Sequence, residues 1–178
     1  MTTVMSKRLE GRVALITGGG GEIGSAIARR FASEGAAVAI ADLEPAKALA
    51  TARSVVEAGG KASGFGVDVS NEASAAEAVK RAIAAFGRIT TLVNVAATVT
   101  PDGTVETLTL LQWNEAIGVN LTGAFLMCKF GVPELRRAGG GSIINIASQL
   151  GHLGVALRSP YCTTKAALIH FTRILAMD

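Results

Sequence analysis

The sequence predicts an α/β fold: a doubly wound parallel sheet with helices on both faces. Three observations carry that prediction. Short apolar runs, most of them rich in Val and Ile, recur at 13–16, 37–41, 65–67, 92–96 and 143–147. None alternates polar with apolar, so each is predicted to be buried on both faces. Helical patterns lie between them, and strand alternating with helix predicts parallel strands joined by right-handed crossovers.

The elements follow in order. The run 13–16 opens into a glycine-rich turn, TGGGGEIG, from Thr17 to Gly24. Ile23, Ile27 and Phe31 then recur every four residues and mark a helix. The second run ends at Asp42, ahead of Pro45. Ala75, Val79, Ile83 and Phe86 mark another helix, and residues 112–131 and 161–177 are predicted helical. No linker, repeat or low-complexity tract interrupts the 178 residues, which predicts one domain over 1–178.

Composition excludes several classes. Hydrophobic residues make up 49% and aromatics only 4%, a mix suited to tight strand–helix packing rather than an aromatic binding face. The net charge of +3 comes from scattered basic residues with no long run, which argues against nucleic-acid binding. Cys128 and Cys162 form neither a disulfide framework nor a metal-ligand pattern. Residues 1–12 lack an apolar signal core, so the expected location is cytoplasmic. The charge-free stretch 138–157 carries Asn145, Gln149, His152 and several glycines, so no membrane span is expected there.

A glycine-rich turn from strand into helix lets the backbone approach a pyrophosphate, and the helix start offers free N–H groups. Asp42 stands 18 positions after Gly24 at the end of the second run. A carboxylate there accepts hydrogen bonds from an adenosine ribose and repels a 2′-phosphate. The alternative is a helix N-cap ahead of Pro45. With no Lys or Arg in the turn or directly after Asp42, the expectation is NAD, with NADP less favoured. At the other end, Tyr161 and Lys165 are four apart and share a helix face. An ammonium near a phenol favours the phenolate. A plain surface pair is the other reading of that spacing. Ser148 leaves the end of the fifth run, where doubly wound sheets bind their ligands.

Thr17-Gly18, Gly24, Asp42, Asp68-Val69, NVAA at 94–97, VNLTGAF at 119–125, Ser148 and YCTTK at 161–165 resemble the short-chain dehydrogenase/reductase family. The similarity runs from about Gly11 to the end, with the motifs in the family's order. The resemblance implies a Rossmann-like fold and hydride transfer between nicotinamide and a small-molecule secondary alcohol or ketone. It implies Asn120, Ser148, Tyr161 and Lys165 as catalytic residues, with Tyr161 the general base. It places Gly18, Gly20, Gly21, Glu22, Ile23 and Gly24 at the pyrophosphate, and Asp42, Leu43, Asp68 and Val69 around the adenosine. Asn94 and Ala96 would sit beside the cofactor, and Tyr161 and Lys165 at its nicotinamide ribose. No metal is implied, and a homodimer or homotetramer is.

Two departures stand out. Glu22 replaces the middle glycine of the pattern, and is expected to point outward because a carboxylate would repel the phosphates. Val95 and Ala97 replace an amide and a glycine in NVAA. The chain is also shorter than the family's usual length. It reads as a fragment lacking two further strands, a substrate lid and a last helix, which would leave the strand of Ile143, Ile144 and Ile146 as an exposed edge. The competing functions are an NADPH-dependent 3-oxoacyl thioester reductase and a catalytically silent NAD-binding or interaction protein.

Overall fold

A computed structural model describes residues 7–178. The expectation for residues 1–12 falls partly on 1–6, outside the described residues. The strands are β1 Val13–Thr17, β2 Ala37–Asp42, β3 Lys61–Gly66, β4 Thr91–Asn94 and β5 Ser142–Asn145. They pair in parallel in the order β3-β2-β1-β4-β5. The helices are α1 Glu22–Ser33, α2 Pro45–Glu57, α3 Glu72–Phe86, α4 Leu110–Ile117, α5 Gly123–Arg137 and α6 Ser159–Leu175. The predicted sheet is therefore present, with one core on each face. Leu15, Phe65, Val79, Leu92 and Met127 lie in one core, and Ile16, Ala28, Val38, Ile40 and Val55 in the other.

Several boundaries differ from the expectation. The third strand begins at Lys61 rather than 65, because Lys61, Ala62, Ser63 and Gly64 carry no large apolar side chain to mark it. Gly64 must be small: a Cβ there would stand 2.6 Å from the Ala48 carbonyl oxygen of α2. The fourth strand stops at Asn94, since the Thr17 hydroxyl takes the next amides, accepting from Val95 N–H at 3.2 Å and Ala96 N–H at 3.4 Å. The fifth run is not buried on both faces. It pairs only with β4, and its residues are half-buried or exposed, Ile144 at 38%.

The long helical stretch predicted at 112–131 spans Leu110–Arg137 and is interrupted by a π-helical turn, Gly118–Thr122. By length and composition this stretch could cross a membrane. Here its residues Leu126, Met127, Cys128, Gly131 and Leu135 are buried in the fold, as in a core helix. A capping box at Thr109 and Gln112 starts it.

Candidate active site

The carboxyl ends of β1, β2 and β4 open into a groove of about 550 Å³. Its floor is the glycine turn. Gly18 has φ +62, where an L side chain is disfavoured, and a Cβ there would stand 2.8 Å from Ala96 N. A Cβ on Gly24 would stand 2.2 Å from the Gly18 carbonyl oxygen. The turn therefore folds on itself and feeds directly into α1, whose first N–H groups precede any intrahelical acceptor. Gly21 is the N-cap of α1. Gly18, Gly21, Glu22, Ile23 and Gly24 all belong to the groove wall.

Asp42 does not cap α2; the cap position is Glu44. Its carboxylate is instead built into the turn: Oδ2 accepts from Gly20 N–H at 2.8 Å and Oδ1 from Glu44 N–H at 3.0 Å. Gly20 is thus held against Asp42 rather than lining the groove. Asp42, Leu43, Asp68, Val69 and Ala96 are in the wall. Asp68 Oδ1 accepts from Ser70 N–H at 2.9 Å and from its hydroxyl at 2.6 Å, which fixes the bend beside Val69.

Asn94 lies outside the groove wall. Its amide is buried, and Nδ2 donates to Asn145 Oδ1 at 2.8 Å. Asn145 in turn donates to Thr172 Oγ1 at 2.9 Å, so this chain ties β4 to β5 and α6. The wall also includes Val67, Val95, Ala97, Thr98, Glu115 and Val119, none of which the sequence marked as cofactor-binding. Thr98 donates its hydroxyl to Glu115 Oε1 at 3.2 Å. No sequence signal joins two residues 17 apart; the packing of α4 brings them together.

Glu22 is the first residue of α1 and is exposed, as expected of an outward side chain, but it is exposed on the groove. It takes part in no hydrogen bond or ion pair through its carboxylate among the described residues. The four carboxylates of the wall are Glu22, Asp42, Asp68 and Glu115, with no Lys or Arg among the lining residues.

Tyr161, Lys165, Ser148 and Asn120 lie beyond this groove, on the β5–α6 side. Pro160 in the first turn starts α6 and puts Tyr161 and Lys165 on successive turns. The Lys165 Nζ stands 5.7 Å from the Tyr161 ring centroid. Lys165 is only 2% exposed, and its Nζ donates to the Ile146 carbonyl at 2.7 Å. Burial lowers its pKa from the usual lysine value. Tyr161 is half-buried. Ser148 starts a short 3₁₀ turn, Gln149–Gly151, and its Oγ accepts from Leu150 N–H at 3.1 Å, leaving the hydroxyl proton to donate elsewhere. That turn packs on α6: a Cβ on Gly151 would stand 2.9 Å from the Lys165 carbonyl oxygen.

Asn120 sits in the π-helical turn, 1% exposed. Its Oδ1 accepts from Thr98 N–H at 2.7 Å, and its Nδ2 donates to Thr98 O at 3.0 Å and Thr164 Oγ1 at 3.2 Å. One side chain therefore joins the segment after β4 to α6. π-Turns of this kind recur at functional sites. A larger cavity of about 690 Å³ lies at the other end of the sheet, by Gly35, Gly60 and Lys61. It is away from the strand carboxyl ends where doubly wound sheets bind ligands. Among the described residues no group of His, Cys, Asp and Glu is placed to hold a metal ion.

Residues 12–178 match the short chain dehydrogenase family. The chain belongs to that family. It is 42% identical, over 98% of its length and 69% of the relative's, to 2,5-dichloro-2,5-cyclohexadiene-1,4-diol dehydrogenase of Sphingobium indicum. It is 38% identical to D-threitol dehydrogenase of Mycolicibacterium smegmatis, over 96% of this chain and 65% of that one. Cis-4-hydroxycyclohexanecarboxylate dehydrogenase of Sinomonas cyclohexanicum is 36% identical over 97% and 69%. These relatives are named as dehydrogenases of alcohol groups, and this short-chain dehydrogenase is likewise an alcohol oxidoreductase with a nicotinamide cofactor. The groove fits such a cofactor at Gly18 and Gly24, where close backbone approach leaves no room for a side chain. Glu22 is the misfit.

Proposed function

We propose that the protein is an NAD-dependent oxidoreductase interconverting a secondary alcohol and its ketone, with Tyr161 as general base in oxidation and general acid in reduction. The observation that carries this reading is the convergence of Tyr161, buried Lys165 and the Ser148 turn at the start of α6. When bound, the nicotinamide supplies the hydride acceptor. The protein's part is proton handling and orientation. Ser148 donates its free hydroxyl proton to the substrate oxygen and steadies the charge that develops there. Tyr161 removes the hydroxyl proton. Lys165 favours the tyrosinate through its charge. Asn120 is a positioning residue that locks Thr98 and Thr164 on either side of the site.

A carboxylate at Asp42, with no basic residue in the wall, supports NAD over NADP and disfavours the NADPH-dependent thioester reductase. Asp42, Leu43, Asp68, Val69 and Ala96 are proposed to hold the adenosine half, and Asn94 to support the wall from behind. Exposed Leu110, Leu111 and Phe125 on the long helical stretch support a homodimer or homotetramer. A cytoplasmic location is part of the same proposal.

The test is Tyr161→Phe, assayed with a panel of alcohols and by NADH titration. Turnover should fall by at least about 100-fold, the usual range for a general base, with NADH affinity unchanged. A variant that keeps most of its rate would sink the assignment. Absence of turnover in the unmodified protein despite NADH binding would favour the silent scaffold.

A further inference from the structure

We propose that Glu22 reverses the electrostatic sign of the cofactor cradle, so that NADH binding to this protein strengthens as ionic strength rises. The inference rests on the nicotinamide-cofactor reading and deepens it. A helix start attracts a pyrophosphate because its unpaired N–H groups amount to about half a positive charge. Here the first residue of α1 carries a full negative charge beside those N–H groups. Its carboxylate has no ion-pair partner among the described residues that could neutralise it.

The neighbouring charges deepen the effect. Asp42, Asp68 and Glu115 share the wall with Glu22. Lys47 stands beside the turn, its Cβ 2.5 Å from where a Cβ on Gly20 would lie. Its ammonium is already paired with Glu44. Arg29, two turns along α1, donates to Ser25 Oγ, whose hydroxyl donates to the Glu22 carbonyl, and it makes no ion pair with the Glu22 carboxylate among the described residues. A doubly negative pyrophosphate therefore enters a groove whose net local charge is negative. What holds it is shape and hydrogen bonding: the backbone N–H groups of α1 and the room left by Gly18 and Gly24. Added salt screens the repulsion, while these short-range bonds are little affected.

The experiment titrates NADH against the 178-residue chain and its Glu22→Gln and Glu22→Gly variants, at about 10 mM and about 1 M KCl, where screening lengths are about 30 Å and about 3 Å. Circular dichroism confirms folding. Affinity of the unmodified protein should rise about fivefold or more with salt, a fold-change of the size expected for a charge at a helix end. Glu22→Gln should bind about fivefold tighter at low salt and come within about twofold of the unmodified protein at high salt. Adenosine, which has no phosphate, should bind with little dependence on salt or on Glu22.

Affinity that falls with salt would overturn the proposal. So would a Gln variant no tighter than the unmodified protein at low salt. Tightening by Gly but not Gln would assign the effect to bulk and overturn it likewise. If the folded chain and both variants bind neither NADH nor NADPH at any salt, the cofactor reading itself fails, and this inference with it.

Discussion

The two sides of the sheet are held together by different means. On the side proposed to bind the nucleotide, β1 pairs with neighbours on both edges and all five of its residues are buried. Its turn is shaped by backbone against backbone, with Gly24 over Gly18 and Gly18 over Ala96. On the β5–α6 side, proposed to be catalytic, β5 has one neighbour, no fully buried residue, and an exposed Ile144. There the geometry comes from side-chain hydrogen bonds: Asn120 to Thr98 and Thr164, Asn94 to Asn145 to Thr172, and Lys165 to Ile146. Close packing sets the proposed cofactor cradle, and directional polar contacts set the proposed proton-transfer site.

Three substitutions test that contrast. Gly24→Ala should have the largest effect, because the added methyl meets the immovable Gly18 carbonyl rather than a flexible side chain. A loss of about 3 kcal/mol is expected from such overpacking, together with loss of NADH binding. Urea unfolding and a fluorescence titration would measure both. A mild effect would mean the turn is softer than its contacts indicate. Asn120→Leu keeps the number and branching of side-chain heavy atoms but leaves Thr98 N–H, Thr98 O and Thr164 Oγ1 without their Asn120 partner. Stability should fall by about 2 kcal/mol, with alcohol turnover reduced and NADH affinity close to unchanged. An equal loss of NADH affinity would show that the two sides are not separable.

The smallest effect is expected at Leu157, the one non-glycine residue at positive φ among the described residues, at +67. It is held there where Gly103 N–H donates to its carbonyl at 3.1 Å and Arg158 pairs with Asp102 at 2.8 Å. Asparagine tolerates that conformation better, so Leu157→Asn should raise stability by about 1 kcal/mol. A decrease in melting temperature would show that the leucine side chain contributes packing that outweighs the strain.

Much of the fold was legible in the sequence because it rests on local signals. The strands of Val13–Thr17 and Ala37–Asp42 were marked by unbroken apolar runs, and α3 by its four-residue spacing. The apolar run 65–67 marks only the end of the strand Lys61–Gly66. Its small residues serve contact with α2, and a small side chain carries no hydrophobic signal. The candidate site was legible where a motif demands a particular residue type, as at Gly18, Gly24, Tyr161 and Lys165. Thr98 and Glu115 were invisible because nothing local distinguishes a wall residue from any other polar one.

By itself, then, the sequence determined the order of strands and helices, the glycine turn, and the charge that Glu22 and Asp42 bring to it. Periodicity, turn chemistry and formal charge are short-range properties of the chain. Tertiary structure decided which of those groups meet. It turned the Asn94 amide inward to Asn145, set both Asp42 oxygens on backbone amides, and brought Asn120 between Thr98 and Thr164. It also left β5 with a single neighbour. Strand order and helix packing join positions far apart in the chain, and no local pattern encodes which partners will be found there.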